Sequence, residues 1–153
     1  MVFTIREDDL SGPEVRQLLE RHLDDLALHS PAESMHAMSA DRLSGPDVTF
    51  WSVWSGDRVV GCGALKEIDA THGEVKSMRT IDDVRGQGVG GLVLEHLLGE
   101  ARRRGYARVS LETGSDEPFF AAHRLYERHG FVRCGPFADY AEDPWSVFMT
   151  LQL

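Results

Sequence analysis

The chain has 153 residues, enough to bury a core without help from metals or disulfides, and its 42% hydrophobic and 27% charged content is that of a soluble globular protein. A formal net charge of −9 speaks against nucleic-acid binding, which needs a basic surface, and no apolar run approaches the roughly 20 residues that cross a bilayer. Cys62 and Cys134 are too few and too far apart for a disulfide framework or zinc knuckle, and "MVFTIREDDL" lacks the basic-then-apolar order of a secretion signal. A reducing, cytoplasmic setting is therefore expected, with no nucleic-acid, membrane or metal partner.

In chain order, "VFTI" reads as a short strand. "SGPEVRQLLERHLDDLALHS" follows as a helix, with Ser11 and Glu14 in capping-box spacing and Val15, Leu18, Leu19, Leu23 and Leu26 near one face. "PAESMHAMSADRL" fits either a short helix or a mobile segment bordering a pocket. "VTFWSVWS" and "RVVGCGALKEI", joined by the turn-like "GD", predict an antiparallel hairpin, and "GEVKSMRTI" adds a strand after the break "DATHG". A glycine-rich segment then opens a helix with Leu92, Val93, Leu94, Leu97, Leu98 and Ala101 in period, and Gly105 stands where its C-terminal cap belongs. "ARVSLET" is a strand, and "EPFFAAHRLYERHG" is a helix stopped by Gly130. "FVRCGPF" and "SVFMTLQL" close the chain as strands. With no internal repeat and no linker, the order predicts one mixed α/β domain over residues 1–153.

The stretch "VRGQGVGG" crowds glycines at the start of a helix, where they weaken it. Glycine there permits positive φ, lets a ligand approach the backbone and exposes successive N–H groups, while the helix dipole adds a positive end. An anion is the natural guest. The Walker pattern fails because no lysine follows Gly91, and the dinucleotide fingerprint fails because its βαβ context is missing. Arg85-Gly86-Gln87-Gly88-Val89-Gly90 instead matches R-x-x-G-x-G.

With the downstream A-x-x-L-Y-x-x-x-G-F pattern, carried by Ala122, Leu125, Tyr126, Gly130 and Phe131, the chain resembles the Gcn5-related N-acetyltransferase (GNAT) superfamily. The motif-level resemblance runs from about Gly73 to the C-terminus and rests on element order alone before that. It implies a mixed central sheet of about six to seven strands, with splayed central parallel strands and about four flanking helices. It also implies acetyl-CoA as co-substrate and direct acetyl transfer to the amine of a small-molecule acceptor. Backbone groups near Met78 and Thr80 would pair with the pantetheine arm. Amides from Arg85, Gly86, Gln87, Gly88, Val89 and Gly90 would hold the pyrophosphate. A homodimer is a family-level expectation. Two other readings share the cofactor site: a non-catalytic acyl-CoA-binding sensor or partner module, and a protein N-acetyltransferase.

Acyl transfer to an amine needs a proton acceptor for the nucleophile, donors for the oxyanion and a proton for the leaving thiolate. The resemblance assigns Tyr126 as the acid. Glu74 aligns with the glutamate base of the histone-acetylating branch, with Glu112 or an ordered water as alternatives and a Lys76 partnership as the structural reading of Glu74. The oxyanion donor expected is a backbone N–H on the bulged strand, such as that of Met78. Cys134 reads as a small core residue, His123 and His129 as surface or capping groups, and Trp51, Trp54 and Trp145 as core aromatics. Lys76 or Arg79 is a candidate anchor for an acceptor carboxylate. Where many family members carry an asparagine that helps hold the cofactor, this chain has Phe119.

Overall fold

The computed structural model describes residues 2–153. Seven strands, β1 (Thr4–Glu7), β2 (Val48–Ser55), β3 (Arg58–Asp69), β4 (His72–Thr80), β5 (Arg108–Gly114), β6 (Val132–Cys134) and β7 (Ser146–Gln152), form one sheet in the order β1-β2-β3-β4-β5-β7-β6. Every neighbouring pair is antiparallel except β4 and β5, which run parallel. The parallel pair needs a crossover, and α3 (Val89–Arg103) supplies it. The remaining helices are α1 (Pro13–His29), the single-turn α2 (Ala40–Leu43) and α4 (Phe120–Arg128).

Two apolar layers flank the sheet. On one face, Val89, Val93, Leu94, Leu97, Leu98 and Ala101 of α3 pack on Leu65, Val75, Val109, Leu111 and Met149, with Tyr126 and Phe131 completing the layer. Each large side chain buried there contributes about 1.5–3 kcal/mol, so Leu97→Ala in this layer should cost about 2–5 kcal/mol. On the other face, Val15, Leu18 and Leu19 of α1 and Leu43 of α2 cover Phe50, Cys62 and Ala64. The second layer ends at β3, so the same face of β4, β5 and β7 is left for polar residues.

Several boundaries differ from expectation. Helix α1 begins at Pro13 after Gly12, without a side-chain cap, and the Ser11 hydroxyl turns back to Asp9 at 2.6 Å. Proline pre-sets φ at the first helical position and displaces the expected Ser11 capping box. Strand β4 starts at His72, so the break after β3 is shorter than "DATHG". Residues 32–34 form a 3-10 turn ahead of α2, and another 3-10 turn, Glu117–Phe119, leads into α4.

Candidate active site

Strands β4 and β5 pair only from His72↔Arg108 to Val75↔Leu111, although β4 continues to Thr80 and β5 to Gly114. The cause lies on the other edge of β4. Lys76 pairs with Ala64 and Arg79 with Cys62, so Ser77 and Met78 together oppose the single residue Gly63. That extra residue is a β-bulge, with Ser77 at φ 54°, and it bends β4 away from β5. A gap therefore opens between the two parallel strands, lined on one side by backbone from Lys76 to Thr80. Met78 and Thr80 stand on this lip.

The gap points toward the start of α3. Gly88 is the N-cap of α3 at φ 90°, a left-handed conformation that costs other residues roughly 1–2 kcal/mol. The amides of Arg85 and Gln87 are taken up in turns by Asp82 O and Val84 O, each at 3.3 Å. Those of Val89, Gly90 and Gly91 lie in the first helical turn, ahead of the first helical bond from Leu92 N to Gly88 O. A Cβ on Gly86, Gly88 or Gly91 would meet nothing within 4 Å, so the concave backbone is open to a ligand. This cradle fits an anion of pyrophosphate size, through amides of Gly88 to Gly91 rather than every amide from Arg85 onward. The Arg85 side chain is exposed and paired to Asp82 at 3.0 Å.

Tyr126 is buried in the α3-side layer of the sheet, near enough to Glu112 to feel its charge. Its placement follows from the end of α4: Gly130 N donates to Glu127 O and Phe131 N to Tyr126 O, a Schellman closure with Gly130 at φ 95°. Phe131 then folds back on Tyr126, with ring centroids 5.9 Å apart. Burial, and next the charge of Glu112, push the Tyr126 phenol up to about 12. At neutral pH it stays protonated.

The opposite face of the gap carries the acidic residues. Period-two alternation puts Glu74 and Lys76 of β4, Glu112 of β5 and Ser146 and Phe148 of β7 on one side of the sheet. The Glu74 carboxylate is buried, 3.2 Å from Lys76 Nζ, and accepts a 2.5 Å hydrogen bond from the Tyr140 hydroxyl. Lys76 also donates to Tyr140 Oη at 2.9 Å and His36 O at 3.3 Å. Tyr140 lies on the segment between β6 and β7, fixed by aromatic contacts with His36, Phe137 and Phe148. Ser34 Oγ donates to Asp143 at 2.6 Å and ties that segment to the turn before α2.

Glu112 has no such clamp. Burial pushes its carboxyl up to about 7, with Lys76 opposing and Glu74 and Asp143 adding to the shift. Ser146 stands beside it, and its buried hydroxyl, close enough to share a hydrogen bond with the carboxyl, opposes the shift. The resemblance put Glu74 ahead of Glu112, while residue type and strand position alone did not separate them, since both are strand glutamates on one face. The partners that separate them, Tyr140 and His36, come from segments without motif signatures.

Other singled-out residues fall as follows. His123 is not a surface group: it is buried, with Nε2 at 2.8 Å from Gly114 O, joining α4 to the end of β5. His129 caps α4 through Nδ1, 2.9 Å from Leu125 O. The Phe119 ring occupies the place where a Cβ on Gly114 would sit, 2.3 Å away, so it closes the end of β5 by packing. Cys62 is fully buried, its thiol pushed up to about 12, and Cys134 is half-buried with its thiol also raised by burial. Neither is set up as a nucleophile. Trp51 is in the core and Trp54 lies under Arg6, whereas Trp145 is exposed near the C-terminal end of α1 and is not a core aromatic. No helix of the described residues is long and apolar enough to cross a membrane.

Residues 13–131 match the family model described as the acetyltransferase (GNAT) family. The chain is 54% identical over 149 residues to YsnE of Bacillus subtilis (strain 168), an uncharacterised N-acetyltransferase, covering 97% of this chain and 99% of that protein. It is 38% identical over 147 residues to the IAA acetyltransferase of Azospirillum brasilense, covering 94% and 93%. A crystal structure from Klebsiella pneumoniae, named for acyl-CoA N-acyltransferase activity, superposes with a TM-score of 0.80 at 29% identity, covering 99% and 98% of the two chains. The family model spans the bulged strand, the glycine cradle and Tyr126 alike, and so the chain belongs to the acetyltransferase (GNAT) family, as an acyl-CoA-dependent enzyme that acetylates nitrogen.

Proposed function

We propose that this single domain transfers the acetyl group of acetyl-CoA to the amine of a small molecule, with Tyr126 as proton donor and Glu112 as proton acceptor. The observation that carries the reading is the break in β4–β5 pairing, which opens a slot beside the raised Glu112 carboxyl, while the buried Tyr126 phenol is close enough to Glu112 to feel its charge. Met78 and Thr80 on the β4 lip would hold the pantetheine arm, and the amides of Gly88, Val89 and Gly90, joined by Gly91, the pyrophosphate, with Gly86 leaving the approach open. The Arg85 and Gln87 side chains, both exposed at the mouth of the cradle, would contact it from outside. Acetyl-CoA supplies the acetyl group as a thioester, with sulfur as the leaving atom.

Tyr126, protonated at neutral pH, donates toward that sulfur as negative charge develops there. Glu112 takes the proton from the acceptor's ammonium, and its raised pKa suits a base working near neutrality. Glu74 was the sequence candidate for this role, but its carboxylate already serves Lys76 and Tyr140, and freeing it would break both bonds. We assign it to fixing the wall of the acceptor pocket. A small acceptor is favoured because the 135–145 segment, tied to the 32–34 turn through Asp143 and Ser34 and to His36 through Tyr140, roofs this face.

The test is thiol release from acetyl-CoA, with mass detection of acetylated product, across a panel of small amines, peptides with free N-termini and IAA. Product from small amines supports the reading. Product from peptides alone replaces it with protein acetylation. Coenzyme A binding without thiol release from any acceptor leaves a sensor module.

A further inference from the structure

Among residues 2–153, the buried side-chain atoms His22 Nδ1, Ser77 Oγ and Arg79 Nε have no hydrogen-bond partner. Native proteins satisfy nearly all such groups, and each unsatisfied one costs about 1–3 kcal/mol. They lie far apart in sequence, on α1 and β4, yet His22 is close enough to Arg79 to feel its charge. Ser77 and Arg79 flank Met78 on the bulged lip of β4. Asp25, one turn along α1 from His22, pairs with Arg79, so this part of α1 lies over that lip. Ser146 begins β7, opposite Gly114 in register and beside Glu112.

The donor set defines what is missing. The Arg79 side chain is 10% exposed, and its Nε–H can only donate, so the ligand must present an acceptor there. A serine hydroxyl and an imidazole stand nearby. Burial and the Arg79 charge hold His22 down to about 4, so it is neutral and adds no charge of its own. Asp25 already neutralises part of the guanidinium, and Glu74, Glu112 and Asp143 surround the pocket, which disfavours a dianion such as phosphate. A single carboxylate fits. Lys76, the other cation of the pocket, is engaged by Glu74, Tyr140 and His36 O. On the far lip, Glu112 and Ser146 offer acceptors to a cation. The pocket is thus dipolar, with the guanidinium on β4 and the carboxyl on β5.

We infer that the acceptor is an amine that also carries a carboxylate, an amino acid or a molecule of that form, with its carboxylate on Arg79, Ser77 and His22 and its amine toward Glu112. This assignment rests on the transferase reading and narrows its substrate class.

The experiment compares free amino acids with their amides and their decarboxylated amines as acceptors, in thiol release with saturating acetyl-CoA. Free acids should exceed the matched amides by at least about tenfold in kcat/KM, the discrimination expected when a buried donor loses its partner. Arg79→Gln should bring that ratio to near one. Ser77→Ala keeps the Arg79–Asp25 pair and guards against misfolding; it should raise KM for the acids several-fold more than KM for the amides. Equal use of acids and amides, or a preference surviving both substitutions, overturns the inference while leaving the transferase reading intact. If no amine is acetylated, the transferase reading fails, and calorimetry on protein saturated with coenzyme A then decides. Binding of free amino acids but not amides, lost in Arg79→Gln, still upholds the carboxylate site, and absence of that binding overturns it as a set of hydrated orphans.

Discussion

At Glu112, burial works against ionisation, and the same shift that suits a base has a cost in stability. The folded state holds the proton up to about pH 7, whereas the unfolded chain releases it near 4.5. Stability should therefore fall as pH rises through that window and stay low above it, by up to about 3 kcal/mol for a shift of this size. Glu112→Gln removes the titration. It should raise the melting temperature at pH 8 but not at pH 4, and flatten the acidic limb of the kcat/KM profile near pH 7. A variant that retains that limb would return the role of base to Glu74 or to water. Tyr126→Phe should lower kcat by about 100-fold, the usual contribution of a positioned proton donor, with coenzyme A affinity changed less than about threefold. Isothermal titration alongside turnover checks this, and equal losses in both would mark Tyr126 as a packing residue.

Among the elements, α4 shows how a loop signal sets chemistry. Gly130 allows the chain to reverse and Phe131 returns against Tyr126, which holds the Tyr126 ring in place. Gly130→Ala should cost about 1–2 kcal/mol through its left-handed φ, read by denaturant midpoint, and should lower kcat more than coenzyme A affinity. This device was legible in "LYERHGF", as was the glycine cradle, because both depend on local backbone chemistry. The strand order around the hairpin was legible too, from alternation and the "GD" turn. Other features were not. The Ser11–Glu14 spacing predicted a cap that Pro13 displaced. His123 read as a surface group because its burial comes from the end of β5, remote in sequence. The Glu74–Lys76–Tyr140 clamp joins residues 64 and 66 positions apart, a distance over which periodicity carries no information.

Across the whole molecule, the sheet is two antiparallel halves, β1–β4 and β5–β7, sharing one short parallel seam. A ligand lodged in the gap binds both halves, and only when they are folded. At a coenzyme A concentration about 100 times its dissociation constant, the fold should gain about 2.7 kcal/mol. For a chain of this length that corresponds to a rise of roughly 5–10 °C in melting temperature. Gly88→Val, which blocks the cradle's left-handed N-cap, should remove most of the rise. Thermal shift with and without coenzyme A measures both effects.

The seam also sets how the protein breathes. Four residue pairs, from His72↔Arg108 to Val75↔Leu111, make up the strand ladder between the halves, so isotope exchange should divide sharply at its end. Amides on the seam should exchange with the global unfolding rate, while those of Lys76 to Thr80 facing the gap should exchange orders of magnitude faster in the apoprotein. Coenzyme A would erase that contrast, turning a half-open zipper into a closed one and making the cofactor a late strand of the sheet.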